Sequence, residues 1–255
     1  MLFNRKDAYI GRSIERYGEY SELELQWLAG AVVPGDVVIE VGANIGAHTI
    51  ALAKKAGPTG RVLAFEPQRI VFQTLCANLA LNSLANTFCF QSAVSDREEQ
   101  LSVPPVDYNR PANFGGLALA SAGRGEPVAA GPLDGIGSLP RLKLIKIDVE
   151  GMEAAVIRGA RKTILEHRPA LYVENDRPDR SAELIELIGS LDYRMYWHRP
   201  PLFNPDNFFG EDENIFPNII SVNMLCLHRS QRQVSGLREV TDTDYHPLAG
   251  RGGGK

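Results

Sequence analysis

The sequence predicts a doubly wound α/β domain, with a mostly parallel seven-stranded sheet and helices on both of its faces. Short runs rich in Val, Ile and Leu recur along the chain, and stretches with helical spacing of apolar residues separate the first of them. Because parallel neighbours need a long crossover, this alternation is typical of a parallel sheet. The 255 residues, 44% of them hydrophobic, favour one large core over two ordinary domains.

The strands are predicted from the apolar runs, which are short for helices. The first and second runs are separated by one helical stretch, and so are the second and third. In chain order the predicted strands are Val37–Val41, Arg61–Phe65, Thr87–Gln91, Leu142–Ile147, Ala170–Glu174, Tyr193–Trp197 and Val222–His228.

The helices are predicted from apolar residues that recur every three or four positions. Val71, Leu75 and Leu79 have this spacing and would lie on one face of a helix. In chain order the predicted helices are Glu22–Val32, Ala47–Ala56, Ile70–Asn82, Glu153–Glu166 and Arg180–Ser190.

Three segments depart from the alternation around a main domain expected over 35–229. Residues 1–34 are predicted to be an N-terminal helical segment. Its residues 17–20 are predicted to fold as a lid over the functional site that the motifs described below indicate. Residues 103–140, dense in Gly and Pro, take the place of one expected helix and are predicted to form a long loop. The tail at 230–255 lacks periodicity and is predicted to be mobile.

Composition narrows the class of protein. The net charge is −4 and no run of Lys or Arg stands out, which argues against an extended nucleic-acid groove. The first residues lack the apolar core of a signal peptide, and no stretch is apolar for long enough to span a membrane. Cys76, Cys89 and Cys226 lack CxxC spacing, which favours reduced thiols over a zinc site. We expect a cytoplasmic protein.

The loop after the first predicted strand runs from Gly42 to Gly46 and leads directly into a predicted helix. One interpretation is a tight structural turn, for which glycine is the usual residue. The other is a loop that brings its backbone and the helix amides against a small, partly anionic ligand. Glu66 ends the second strand twenty residues after Gly46. A solvated acid is one interpretation of Glu66, but an acid there can also accept both hydroxyls of a ribose, and the joint spacing favours a cofactor.

The glycine spacing is G-x-x-x-G, whereas dinucleotide-binding enzymes use G-x-G-x-x-G, so a pyrophosphate is disfavoured. A ligand with ribose and adenine but no pyrophosphate fits, and S-adenosylmethionine is such a ligand. Its amino-acid end would follow the first strand end, and its adenine would border the third. The predicted cofactor-binding residues are Glu40, Gly42, Asn44, Gly46, Glu66, Ser92 and Ala93.

Charged residues follow the fourth predicted strand. Lys146 and Asp148 share one strand face, and a lysine inside an apolar strand is costly to bury unless it is paired. One interpretation is a buried ion pair that tethers the sheet to the next helix, with Asp148, Glu150 or Glu153 as partner. The other is catalytic: Asp148 takes the proton of an acceptor hydroxyl, with Lys146 and Glu150 beside it.

A divalent ion is a second way to activate a hydroxyl, because it lowers the pKa of the group it binds. Asp148, Glu174 and Asn175 offer three oxygen ligands suited to Mg²⁺, a layout similar to that of metal-dependent catechol O-methyltransferases. Strand-end polar residues are also common without a metal. His48 near a helix start is a further candidate base, since that position lowers its pKa, or else a surface residue.

Together these stretches resemble the FkbM family of S-adenosylmethionine-dependent methyltransferases. The matching pieces are GDVVIEVGANIGAHT (35–49), VLAFEP (62–67), NFGGLAL (113–119), IKIDVEGMEAAVIRGA (145–160) and RPALYVEND (168–176), with a looser match at 223–229. The resemblance implies a Rossmann-like methyltransferase fold and a cofactor held by Glu40, Gly42, Asn44, Gly46 and Glu66. It also implies O-methylation of a hydroxyl on a sugar, glycan or natural product.

The sequence leaves the acceptor open, together with three rival functions, of which a nucleic-acid methyltransferase is disfavoured because the chain lacks a basic surface and an N-P-P-Y-type strand end. The loop 103–140 and the segment 196–218 are candidates for the acceptor pocket, where Trp197, Phe203, Phe208 and Phe209 could stack on a ring or instead cover the sheet edge. A nicotinamide-dependent oxidoreductase lacks support because the glycine pattern and a Tyr-x-x-x-Lys pair are missing. A non-catalytic module that keeps the cofactor fold is the second rival. The predicted partner is a small-molecule or saccharide acceptor.

Overall fold

The computed structural model describes residues 1–121 and 123–249. Its strands form one large sheet and one small sheet. In chain order they are β1 (Val37–Val41), β2 (Arg61–Phe65), β3 (Thr87–Phe90), β4 (Ala93–Val94), β5 (Glu99–Val103), β6 (Glu126–Gly131), β7 (Leu142–Ile147), β8 (Ala170–Glu174), β9 (Tyr193–His198), β10 (Asn223–His228) and β11 (Arg238–Glu239).

The large sheet has the strand order β11-β9-β10-β8-β7-β1-β2-β3. From β8 to β3 all neighbouring strands are parallel, and β10 lies antiparallel between β8 and β9. The seven predicted strands are all present, and β11 is an eighth at the edge. The chain leaves β1 towards β2 on one side and returns with β7 on the other. This reversal opens a crevice at the carboxyl ends of the parallel strands.

Helices lie on both faces of the large sheet, as the sequence predicts. In chain order they are α1 (Ile10–Tyr17), α2 (Glu22–Ala31), α3 (Ala47–Ala56), α4 (Arg69–Leu81), α5 (Glu153–Gly159), α6 (Arg161–His167) and α7 (Pro178–Gly189), with a 3₁₀ turn at Leu133–Gly135. No helix in the described part of the chain combines the length and apolar character that crossing a bilayer requires.

The alternating side chains of β1 belong to two different cores. Val37, Ile39 and Val41 pack in the core that includes α5, α6 and α7, whereas Val38 packs with residues of α2 and α3. Each such buried side chain contributes about 1.5–3 kcal/mol to stability. Glu40 shares the face of Val38 and is only 1% exposed. A carboxyl group is rarely buried at such a position, which makes this strand end a candidate functional site.

The segment 103–140 differs from the predicted long loop. It contains β6, which pairs antiparallel with β5 and parallel with β4 to form the small sheet. Val128 and Ala130 of β6 are buried with Leu101 of β5, so the strand has an inner and an outer face. Pro127 and the surrounding glycines hid this alternation in the sequence.

Two further differences concern the helix after β7 and the C-terminal tail. The predicted helix over 153–166 is two helices that meet at Ala160, whose backbone is not helical (φ −107°, ψ 7°). The tail, predicted to be mobile, adds β11 to β9. Its His246 is buried and its Nε2 lies 2.8 Å from the Asn175 carbonyl oxygen. The last residues of the predicted tail, 250–255, lie outside the described residues.

Candidate active site

A cavity of about 330 Å³ lies at the carboxyl ends of β1, β2, β7 and β8. Residues of α1, of the segment 113–119 and of the segment 202–223 close it from the other side. All but one of the predicted site residues line this cavity. Those that line it are Glu40, Gly42, Asn44, Glu66, Ser92, Ala93, Lys146, Asp148 and Glu150.

The exception is Gly46, which lies under the glycine loop as part of the turn into α3. Gly46 has φ +88°, and a Cβ there would lie 2.8 Å from Leu75 Cδ1. Gly42 has φ +85°, and a Cβ on it would collide with the Asp148 carbonyl oxygen. The loop after β1 therefore packs directly on the end of β7, and both glycines have a structural reason. Gly42 also lines the cavity, so a ligand-binding role for the loop stays a prediction.

Glu66 bridges the first two strand ends. Its Oε2 accepts a hydrogen bond from the Asn44 amide (3.0 Å), and its Oε1 accepts one from the Gln68 amide (2.8 Å). Burial raises the pKa of Glu66 to about 7, although both amides favour the ionised form. The carboxyl group is thus held in one orientation at the cavity wall, with lone pairs left for two hydroxyls.

The NFGG segment lies over this loop. Asn113 Oδ1 accepts hydrogen bonds from the amides of Gly115 and Gly116 (3.1 Å each). A Cβ on Gly115 would lie 2.8 Å from Asn44 Nδ2. The two glycines therefore let the segment approach the cofactor loop more closely than side-chain-bearing residues would permit.

Lys146 is buried among carboxyl groups. Its Nζ lies 2.8 Å from Asp148 Oδ2, and its side chain is 3% exposed. Burial alone would lower the pKa of Lys146, but the charges of Asp148, Glu24 and Glu40 outweigh it and raise the pKa. Burial alone would raise the pKa of Asp148, but Lys146 outweighs it and holds the pKa below its usual value. The structure contains the paired lysine that both interpretations require.

Glu174 on β8 stands beside Asp148. Its Oε2 is buried and has no hydrogen-bond partner among the described residues. Burial, followed by the charge of Asp148, raises the pKa of Glu174 well above its usual value. The two neighbouring carboxyl groups therefore have pKa values shifted in opposite directions, down for Asp148 and up for Glu174.

The predicted set of metal ligands is not brought together, because Asn175 points away from the cavity. Its Nδ2 donates to Ser181 Oγ (2.9 Å), and its carbonyl oxygen contacts the tail. The carboxyl oxygens that do converge belong to Glu150, Glu174 and Asp176, within 4.8 Å of one another. Of these, Glu150 already accepts a hydrogen bond of 2.6 Å from Arg177 Nη2.

His48 belongs to the cavity wall and is not a surface residue. Its Nδ1 lies 3.8 Å from Glu24 Oε1, and its ring stacks on Tyr20 with centroids 6.0 Å apart. Burial, followed by the charge of Lys146, lowers the pKa of His48 to about 3. The imidazole is therefore neutral at physiological pH.

Sequence reasoning missed Glu24 on α2 and Asn223 on β10. Glu24 Oε2 accepts hydrogen bonds from Ser21 Oγ (3.2 Å) and Asn223 Nδ2 (3.3 Å). Burial raises the pKa of Glu24 to about 7. The available signal was Glu24 itself, an acid on the same buried side of α2 as Leu25 and Leu28.

The aromatic residues expected to stack on an acceptor lie elsewhere. Trp197 is buried in the core on the α7 side of the sheet, and Phe203 packs on Tyr17. Phe208 and Phe209 are exposed at the surface. The hydrophobic part of the wall is formed instead by other residues, among them Tyr9, Ile10, Leu202, Ile219 and Ile220.

The fold is a doubly wound α/β fold with a candidate ligand site at its strand ends, and comparison with known proteins identifies the family of the chain. Residues 40–195 match the family described as "Methyltransferase FkbM domain". Because this match covers more than half of the chain, the protein belongs to the FkbM methyltransferase family, as the sequence motifs indicate. The match leaves the oxidoreductase alternative without support.

Two fungal proteins are similar to the chain. "Methyltransferase 1" of Beauveria bassiana is 27% identical in an alignment of 143 residues that covers 48% of this chain and 57% of that protein. "Methyltransferase sdnD" of Sordaria araneosa is 28% identical in an alignment of 188 residues that covers 59% of this chain and 70% of that protein. The match thus spans little more than half the length of the Beauveria protein.

Solved structures share the fold at low sequence identity. The FkbM methyltransferase of Methylobacillus flagellatus has a TM-score of 0.50 at 17% identity, over 88% of this chain and 62% of that one. A SAM-dependent O-methyltransferase of Thermotoga maritima has a TM-score of 0.50 at 13% identity, over 83% of this chain and 67% of that one. These similarities support the Rossmann-like methyltransferase fold.

Proposed function

We propose that the protein transfers a methyl group from S-adenosylmethionine to a hydroxyl oxygen of a sugar, glycan or natural-product acceptor. The observation that carries this proposal is that one cavity contains the glycine loop, Glu66 and the Lys146–Asp148 pair. The cofactor features and the candidate base thus face the same space. The family match supports methyl transfer, and the oxygen acceptor is the finer step.

The residues present fit this cofactor. Glu66 lies where a ribose would be held, and Gly42 lines the cavity where the methionine end would lie. Ser92 and Ala93 lie where the adenine would border the third strand end. When bound, S-adenosylmethionine supplies a methyl group on a positively charged sulfur. The acid-rich wall suits that charge.

The chemistry left to the protein is to orient the acceptor and to remove one proton. Asp148 is the proposed base, because Lys146 keeps it ionised at neutral pH. A carboxylate with a low pKa is a weak base, so it would take the hydroxyl proton as the new C–O bond forms. Lys146 also fixes the orientation of Asp148 through their 2.8 Å contact. His48, neutral and buried nearby, can accept a hydrogen bond without competing charge.

Two alternatives remain proposals of lower rank. A non-catalytic module would bind the cofactor but would need no base, and the buried Lys146–Asp148 pair would then have only its structural role. A nucleic-acid acceptor requires contacts with a phosphate backbone, and the acid-lined cavity disfavours it. A Mg²⁺ requirement is also disfavoured because Asn175 turns away and Glu150 is engaged by Arg177.

Calorimetric titration with S-adenosylmethionine tests the cofactor part of the proposal. We expect micromolar binding that Glu66→Ala reduces at least tenfold, because the ribose loses a charge-assisted hydrogen-bond partner. The matched control is Glu166→Ala on α6, whose side chain is 74% exposed. Absence of binding, or equal loss in both variants, would contradict the assigned site.

Methyl transfer to a panel of hydroxyl acceptors tests the catalytic part. We expect Asp148→Asn to lower kcat by about 10²–10⁴-fold, the usual contribution of general base catalysis, with little change in cofactor affinity. Adding Mg²⁺ or EDTA should leave the rate unchanged. Cofactor binding without transfer to any panel member, in wild type and variant alike, would favour the non-catalytic module.

A further inference from the structure

The charges that line the cavity are strongly unbalanced. In the described part of the chain its wall contains one lysine, Lys146, no arginine, and the neutral His48. Seven carboxyl groups line the same wall: Glu24, Glu40, Glu66, Asp148, Glu150, Glu174 and Asp176. Any ligand that fills this space therefore meets an excess of carboxyl groups.

Lys146 does not offset this excess for an entering molecule. Its ammonium contacts Asp148 at 2.8 Å and is buried, and its raised pKa reflects the added charges of Glu24 and Glu40. A group bound by carboxylates on several sides has no exposed positive face for an acceptor. In this respect the cavity differs from sites that hold a phosphate or carboxylate, which present free Lys, Arg or backbone amides.

The carboxyl groups divide between two ends of the cavity. Glu66 lies on the β2 side, where the cofactor ribose is placed. Glu174 and Asp176 follow β8, two strands beyond β1 in the sheet, and Glu150 follows β7. The oxygen atoms of these three lie within 4.8 Å of one another. The cavity wall also includes the hydrophobic residues Leu202 and Ile219. Because the proposed function places the cofactor at the Glu66 end, the second end is the one left for an acceptor.

Only part of the negative charge at this end is compensated. Arg177 Nη2 donates to Glu150 Oε2 at 2.6 Å, and Arg177 Nε is 3.7 Å from Asp176 Oδ1. Glu174 Oε2 is buried and has no hydrogen-bond partner among residues that the structure describes. A positive group placed beside Glu174 would be favoured by the neighbouring carboxyl groups of Asp148 and Asp176, whereas a negative group would be repelled by them.

We propose that the cavity selects methyl acceptors by charge: the end of the acceptor that enters is neutral or positively charged, and acceptors with a carboxylate or phosphate there are rejected. Asp176 provides the repulsion that rejects anions, and Glu174 provides the site for an ammonium or hydroxyl group. This inference rests on the proposed function, because it describes the acceptor of that reaction.

The test uses three phenols that differ in charge, tyramine (ammonium), tyrosol (neutral) and 4-hydroxyphenylacetate (carboxylate). Each is titrated by NMR into the full-length protein saturated with S-adenosylhomocysteine. We expect tyramine and tyrosol to bind and 4-hydroxyphenylacetate to bind at least about tenfold more weakly, because like charges at contact distance in a cavity are strongly unfavourable. Equal or tighter binding of the carboxylate, or no binding of tyramine and tyrosol, would overturn the inference.

Two variants assign the selection to its residues. Asp176→Asn, at a side chain that is 41% exposed, should strengthen binding of 4-hydroxyphenylacetate about tenfold relative to tyrosol. Glu174→Gln should weaken tyramine but not tyrosol, because it replaces a carboxyl oxygen, an acceptor for the ammonium, with an NH₂ group that can only donate. Glu183→Gln on α7, with a side chain 62% exposed, is the matched control. Ratios that stay the same in both variants would overturn the assignment.

The same samples separate this inference from the proposed function. Calorimetry with S-adenosylmethionine reports the cofactor site independently of the phenols. If the wild-type protein does not bind S-adenosylmethionine, the proposed function itself is contradicted. Retained cofactor binding with a preference for the anionic phenol would overturn only the charge selection.

Discussion

Replacing Lys146 with methionine should destabilise the protein in a manner that depends on pH. Lys146 is 3% exposed and lies 2.8 Å from Asp148, with Glu24 and Glu40 also contributing to its environment. Methionine fills a similar volume but leaves the three carboxyl groups without their cation. Removing one partner of a buried ion pair costs about 3–5 kcal/mol. Because the Asp148 side chain is 42% exposed to the cavity, solvent screens part of this cost, and we expect about 3 kcal/mol near pH 8.

The pH dependence follows from the pKa values of the acids. Burial raises the pKa of both Glu24 and Glu40 to about 7, so their protonated forms stabilise the fold at low pH and that stability is lost as the pH rises through 7. Without Lys146 the two pKa values rise further, and the loss at high pH grows. Near pH 5 both acids are protonated in either protein, so the difference should shrink to about 1 kcal/mol.

Urea-induced unfolding at a series of pH values measures both quantities, with tryptophan fluorescence as the signal. Lys143→Met is the matched control, since Lys143 lies on the same strand with its side chain exposed. The control should stay within about 0.5 kcal/mol of the wild type at every pH. A Lys146→Met effect that is independent of pH, or no larger than the control's, would refute the reasoning.

Three further changes have expected outcomes. Gly42→Ala should cost about 1–3 kcal/mol of stability in thermal unfolding, because Gly42 has φ +85° and an added Cβ would meet the Asp148 carbonyl. The control Gly135→Ala should be tolerated, because a Cβ there meets nothing within 4 Å. Similar melting temperatures for the two variants would contradict the prediction. Glu66→Gln should gain up to about 3 kcal/mol of stability relative to wild type as the pH rises from about 5 to about 8, measured by urea unfolding. The reason is that the wild type loses stability as Glu66, whose pKa is about 7, ionises. A difference that does not change with pH would contradict this prediction. His246→Ala should cost about 1–3 kcal/mol and speed amide exchange in β11, and unchanged exchange would count against the observed packing.

The glycine loop and the acid after the second strand were accessible from the sequence because their determinants are local. Gly42 and Gly46 stand at fixed distances from the end of one apolar strand, and Glu66 ends the next strand. The carboxyl ends of neighbouring parallel strands necessarily meet at one sheet edge. The strand and helix positions were predictable for the same reason, since periodicity and turn residues act over a few positions.

The acceptor half was less accessible because its geometry depends on residues far apart in the chain. Asn175 was expected to face the cavity, but its side chain turns towards Ser181 and its carbonyl oxygen contacts His246, 71 residues away. Glu24 lines the same cavity and accepts a hydrogen bond from Asn223, which is 199 residues away in the chain. No local pattern encodes such contacts.

The sequence by itself therefore determined the doubly wound sheet, the position of the cofactor loop and the family to which the chain belongs. The tertiary structure alone decided which acids converge at β8, that β6 pairs in a second sheet and that the tail packs against β9. The physical reason is that a side chain's direction at a strand end, and its protonation, follow from the hydrogen bonds and charges that distant segments bring to it. Glu174, Asn175 and Asp176 are three consecutive polar residues at the end of β8, yet only Glu174 and Asp176 line the cavity.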